Sequence, residues 1–145
     1  MRFRILATRA SAATILIRLS VGLVFLSEGI QKFLYPTALG VGRFTKIGIP
    51  APELLAPLVG SIEIACGALV VIGLLTRLAA LPLVVVISVA IATTKLPMLA
   101  NNGWWSMAHE SRTDFAMLLG SLFLLLVGGG AGSIDAWLAA RQRNR

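Results

Sequence analysis

The chain has 145 residues, of which 57% are hydrophobic and 13% charged, with a formal net charge of +7 and a mean hydropathy of +0.88. Soluble domains carry about 25% charged and about 45–50% apolar residues, and a chain of this length buries only about 70% of its surface on folding. These values exclude a soluble monomer, a disordered tail and a secreted disulfide scaffold, and they leave a polytopic membrane protein or an unusual proteolipid.

The first predicted helix, residues 12–35, follows Arg2, Arg4 and Arg9 and contains Arg18, Glu28 and Lys32. It runs past signal-peptide length with no small-x-small cleavage pattern after it, so it reads as a retained helix. The second, residues 54–75, is interrupted only by Glu63. The third covers 78–95, between Arg77 and Lys95, and the fourth 113–131, with Arg112 before it and Asp114 inside it. A spanning helix needs about 17–25 residues. Backbone groups in lipid must bond internally, so runs of this length read as helices. The expected fold is all-α: one integral membrane domain, a four-transmembrane-helix bundle with a short tail over 132–145.

Four spans put both termini and the turn Leu75-Thr76-Arg77 on one side. That side holds Arg2, Arg4, Arg9, Arg77, Arg141, Arg143 and Arg145; the other holds Arg43, Lys46, Lys95 and Arg112. The bias places both termini in the cytoplasm. Basic residues at the ends of apolar runs set topology, and with no single basic stripe they do not indicate nucleic acid. The stretches 36–53 and 96–111 read as longer outer loops. Trp104 and Trp105 suit the headgroup interface, with a ligand-covering role as the alternative. Gly128-Gly129-Gly130-Ala131-Gly132 lacks the Gly-Lys-Ser/Thr ending of a nucleotide loop. It reads as the end of helix four, with Ser133 capping a short amphipathic segment that carries Asp135 and Trp137. Cys66 is the one cysteine and reads as a small packing residue.

Ionisable groups inside a bilayer cost on the order of 2.5–3.5 kcal/mol each and should face the bundle interior and pair. At about 100° per residue, Arg18, Gly22, Phe25, Gly29 and Lys32 share a face, with Glu28 flanking it four residues before Lys32. Ala56, Gly60, Glu63 and Gly67 share another. Arg77, Ser88 and Lys95 form a third, and Asp114, Ser121, Gly128 and Gly132 a fourth. Small residues let such helices approach closely. Glu28, Glu63 and Asp114 thus meet Lys32, Lys95 and Arg112 in the outer half of the bundle. This cluster is the candidate small-ligand pocket, and Glu63 in it either pairs with Lys32 or carries a proton. His109 and Glu110 are a weak metal signal, and no metal site is assigned.

Several segments together resemble the DoxX family of small four-helix bacterial membrane proteins. They are Gly29-Ile-Gln-Lys32-Phe33, Gly48-Ile49-Pro50, Glu63-Ile-Ala-Cys-Gly67, Gly73-Leu-Leu-Thr-Arg77 and Gly130-Ala-Gly-Ser133-Ile-Asp135. The resemblance implies a multi-pass protein of the bacterial inner membrane, associated with quinone-linked membrane oxidoreductase systems. It marks Gly29, Lys32, Glu63 and Arg77 as recurrent positions. The expected function is a subunit or accessory of such a system, with partner membrane or periplasmic oxidoreductase subunits. Glu63 and Lys32 would bind a quinone headgroup, and Glu28, Lys95, Arg112, Asp114, Trp104 and Trp105 would complete the pocket. Quinone is the candidate ligand and no other cofactor is indicated. A small-solute or proton-coupled transporter and a non-catalytic membrane scaffold are the alternatives, and self-association is left open.

Overall fold

A computed structural model describes residues 11–143. Arg2, Arg4, Arg9 and Arg145 of the topology count lie outside the described residues. The elements are α1 (Thr14–Leu34), α2 (Val41–Lys46), α3 (Pro52–Ile72), α4 (Thr76–Asn102), α5 (Trp104–Glu110), α6 (Arg112–Val127) and α7 (Ile134–Arg143), with no strand among the described residues. Helices α1, α3 and α4 are long and apolar enough to cross a membrane. Helix α6 has 16 residues, a rise of about 24 Å.

Three helix ends differ from expectation, and each has a local cause. The second predicted helix stops at Ile72 rather than 75, because Gly73 takes φ of 72°, and Thr76 and Arg77 of the expected turn open the next helix. The fourth predicted helix stops at Val127 rather than 131, because Gly128 and Gly130 take φ of 90° and 76°, a region that glycine enters at little cost. The third continues to Asn102 rather than 95. Pro97 removes one backbone donor, but Met98, Leu99 and Ala100 are good helix formers and the helix ends only at Gly103, with φ 82°. The two expected loops are also partly helical, since α2 lies within 36–53 and α5 within 96–111.

Helix α1 packs most closely on α3, through the small residues that the spacing had placed face to face. A Cβ added at Gly29 would lie 2.6 Å from the Gly60 carbonyl oxygen, and one at Gly22 would lie 2.9 Å from the Gly67 carbonyl oxygen. Both obstacles are backbone. Gly29→Val is therefore expected to force the helices apart and cost about 3 kcal/mol, the upper range for overpacking. Thermal unfolding in detergent would read the loss, and a melting temperature within a degree of wild type would contradict this packing.

The apolar core lies where α1, α3, α4 and α6 meet, around Val21, Phe25, Val70, Leu83, Ile87, Met117 and Leu124. The expected small-residue faces of α1 and α3 are buried: Arg18, Gly22, Phe25 and Gly29 on one, Ala56, Gly60, Glu63 and Gly67 on the other. The expected face of α4 is corrected. Its buried residues are Thr76, Ala79, Ala80, Leu83 and Ile87, while Ser88 is exposed and donates to the Val84 carbonyl at 2.7 Å. A serine hydroxyl that satisfies itself on the preceding turn needs no polar neighbour, so it does not anchor a seam. On α6, Ser121 and Gly128 are buried as expected, but Gly132 is exposed.

Candidate functional site

The bundle has two polar ends. At the loop end, α1 finishes, α3 begins, and α4 turns through α5 into α6. Here the Lys32 Nζ lies 2.6 Å from the Glu63 Oε2, joining α1 to α3, with both side chains nearly buried. The Lys95 Nζ lies 3.0 Å from the Asp114 Oδ2, joining α4 to α6, and also donates to the Glu110 carbonyl at 3.1 Å. Both pairs have the opposite-charge composition expected of ionisable groups inside a membrane protein.

The other predicted site residues are placed differently. Glu28 is exposed, and its carboxylate forms no ion pair with Lys32; the Lys32 Nζ reaches only the Glu28 main-chain oxygen, at 3.5 Å. The ammonium is drawn across to the buried carboxylate instead, because an exposed ion pair gains little. Arg112 is exposed and meets no acid among the described residues: its guanidinium lies 3.0 Å from the His109 ring. Trp104 and Trp105 are 60% and 84% exposed. The six charges therefore form two interhelical pairs, Glu28 standing beside the first and Arg112 turned to a histidine.

A groove of about 340 Å³ opens between α1 and α6. Ile17, Ser20 and Val21 line one wall, and Ala116, Gly120 and Phe123 are on the other. None of these was among the residues singled out from the sequence. The available signal was the small residues Ser20, Ala116 and Gly120 on two helices that pack only loosely together.

The tight-turn end carries a second polar assembly. Arg18 is 3% exposed. Its guanidinium donates to the Gly129 carbonyl at 3.0 Å, the Val71 carbonyl at 3.1 Å and the Gly132 carbonyl at 3.4 Å. Asp135, 2% exposed, accepts from the Leu75 N–H at 2.7 Å and the Thr76 N–H at 2.9 Å. These are the first free donors of α4, and a carboxylate at a helix N-terminus both satisfies them and opposes the helix dipole. The Asp135 N–H in turn donates to the Gly73 carbonyl at 2.9 Å. Arg77 donates to the Leu126 and Val127 carbonyls at 2.9 and 3.3 Å, closing the C-terminal end of α6. The Ser133 hydroxyl accepts from the Ala136 N–H at 3.1 Å, the expected cap of α7. Two separate segments of the resemblance, Gly73–Arg77 and Gly130–Asp135, thus close on each other. Backbone groups take most of the hydrogen bonds of the assembly, which makes it a lock on the fold, although Arg18 Nε and Thr76 Oγ1 are buried without a partner among the described residues.

Apolar helices of spanning length with charges paired between them define an integral membrane protein. The chain belongs to the DoxX family, whose family model matches residues 13–96. It is similar to an uncharacterized membrane protein of Mycobacterium tuberculosis, 53% identical over 95% of this chain and 88% of that protein. It is also similar to a Bacillus subtilis protein named "Putative oxidoreductase CatD", 29% identical over 90% of each chain. No solved structure matches it.

Proposed function

We propose that this DoxX protein is a four-span protein of the bacterial inner membrane, with both termini cytoplasmic, serving as an accessory subunit of a quinone-linked oxidoreductase system. The observation that carries the functional reading is the Lys32–Glu63 pair, a nearly buried ammonium and carboxylate at 2.6 Å, with the Glu28 carboxylate beside it and in no ion pair among the described residues. A quinone carbonyl accepts a hydrogen bond from Lys32, and a quinol hydroxyl donates to Glu28 or Glu63. Positioned groups of this kind bind and orient a quinone head and hold a proton at its oxygens. Lys95, Asp114 and Arg112 add further charges at the same end, and Trp104 and Trp105 lie at the headgroup level. Electrons come from the partner enzyme. The printed name of the Bacillus subtilis relative agrees with a redox setting.

Support for a fourth span comes from the ends of α6. Asp114 near its start pairs with Lys95 at the loop end. Gly129 just past its finish accepts from Arg18 near the start of α1. Helix α6 therefore runs back along the height of α1. Its rise of about 24 Å is short of a hydrocarbon core of about 30 Å, a mismatch that local thinning of the bilayer absorbs at modest cost.

The protein purified from its native membranes is expected to retain quinone in its lipid extract, and Glu63→Gln is expected to reduce that retention at least tenfold. No quinone in the wild-type extract, together with unchanged quinone reduction in Glu63→Gln membranes, would overturn the reading.

A further inference from the structure

We infer that the groove between α1 and α6 holds the isoprenoid chain of a long-chain quinone, with its ring at the loop end between Glu28 and Lys32. This inference rests on the quinone reading above and adds where the ligand's apolar part lies.

Size and lining decide what kind of object fits. The groove offers about 340 Å³, at the lower end of the range for small-ligand clefts, about 300–1,000 Å³, and its walls are mostly apolar side chains. A single flexible hydrocarbon chain matches that size and character.

Register decides which way the chain runs. Gly120 is level with Val21, since a Cβ at Gly120 would lie 2.5 Å from the Val21 Cγ2. The two helices are antiparallel, so Ala116 lies about 6 Å nearer the loop end than Gly120, and Glu28 about 10.5 Å nearer than Val21. The groove therefore stops about one helical turn short of Glu28, with Lys32 one turn beyond it. Ser20 adds a polar mark inside the groove: its hydroxyl makes no hydrogen bond among the described residues, unlike those of Ser61 and Ser88, which bond back to their own helices.

Hydrogen-bonding chemistry decides the head. Lys32 is the cation that pairs with Glu63, and Glu28, one turn away, is an exposed carboxylate. A phospholipid phosphate has no proton to donate to that carboxylate and is repelled by it. A quinone accepts from an ammonium and a quinol donates to a carboxylate, so a quinone or quinol ring is complementary to both groups. Polar groups on the same stretch of α1 extend the surface for that head: the Gln31 amide donates to the Ser27 hydroxyl at 2.8 Å.

The test uses the full-length protein in phosphatidylcholine nanodiscs and two quinones with the same ring, one with a single isoprenoid unit and one with a long chain. Ala116→Phe fills the groove from α6, and Ser20→Phe fills it from α1. Both positions are exposed, so neither substitution presses on the core. Each variant is expected to weaken binding of the long-chain quinone at least tenfold and that of the short one less than twofold. Glu28→Gln is expected to weaken both quinones equally. Wild type that binds both quinones, with neither groove variant changing either affinity, overturns the groove and leaves the quinone reading intact. Wild type that binds neither quinone overturns both. Retention of phospholipid that the groove variants displace, with quinone affinity unchanged, assigns the groove to lipid and also overturns the inference.

Discussion

Asp135→Ala is expected to destabilise the protein by about 3–5 kcal/mol, the cost of breaking a buried charge assembly by removing one partner. The carboxylate is nearly buried and accepts two backbone donors, at 2.7 and 2.9 Å. Hydrogen bonds to a charged group contribute about 1.5–3 kcal/mol each. Its loss leaves the Leu75 and Thr76 N–H groups unpaired at the start of α4. Leu75 sits at φ 50°, a left-handed conformation that costs a branched residue about 1–2 kcal/mol and persists because the surroundings hold it. Loss of Asp135 also removes the negative charge facing Arg18. Leu75 and Thr76 donate to different carboxylate oxygens, so Asp135→Asn keeps one of the two acceptors and should cost less than the alanine. Thermal unfolding in detergent gives the stability, and limited proteolysis reports α7, which should be cut faster in Asp135→Ala. A loss under 1 kcal/mol with α7 still protected would show that the carboxylate does not hold the turn.

The second large effect is expected at Glu63, where a double-mutant cycle separates fold from function. Glu63→Leu leaves the Lys32 ammonium nearly buried and uncompensated, and should cost about 3–5 kcal/mol. Lys32→Met leaves the carboxylate alone and should cost a similar amount. The double variant removes both charges and replaces them with apolar side chains. Replacing a buried pair in this way is often neutral or stabilising, by about 1–4 kcal/mol, so the double variant should recover most of the loss. Recovery of the fold without recovery of quinone retention assigns the pair to binding. Additive losses with no recovery would mean that the two residues do not act as a pair.

The sequence made the α1–α3 interface legible, and the reason is periodicity. Gly22, Gly29 and Lys32 on one helix, and Gly60, Glu63 and Gly67 on the other, repeat at helical spacing, so their shared faces follow from 100° per residue. Lys32 and Glu63 also had no better partner, since each is charged in an apolar run. Glu28 was misread for the complementary reason. Spacing of four along a helix brings two side chains within reach, but it does not say whether a deeper carboxylate on the next helix competes for the same ammonium. Arg112 fared likewise, because His109 lies one turn away on a short helix that the sequence presented as loop. Ser88 shows the limit on α4, where a hydroxyl that bonds to its own helix looks in sequence like one that faces a partner.

Sequence alone determined the membrane setting, the helical class and the polar helix faces that carry Lys32 and Glu63, and it left open whether Glu63 pairs with Lys32 or carries a proton. Each depends on composition or on order along one helix, and burial in lipid leaves little choice about either. The tertiary structure alone decided where Arg18 finds its acceptors, how Asp135 caps α4 across 60 residues of chain, and that a groove opens between α1 and α6. Those features depend on which helix ends come to the same level. Glycines at φ 72° and 90° after α3 and α6 set that level, and the packing of four helices, rather than any local pattern, brings the turns together.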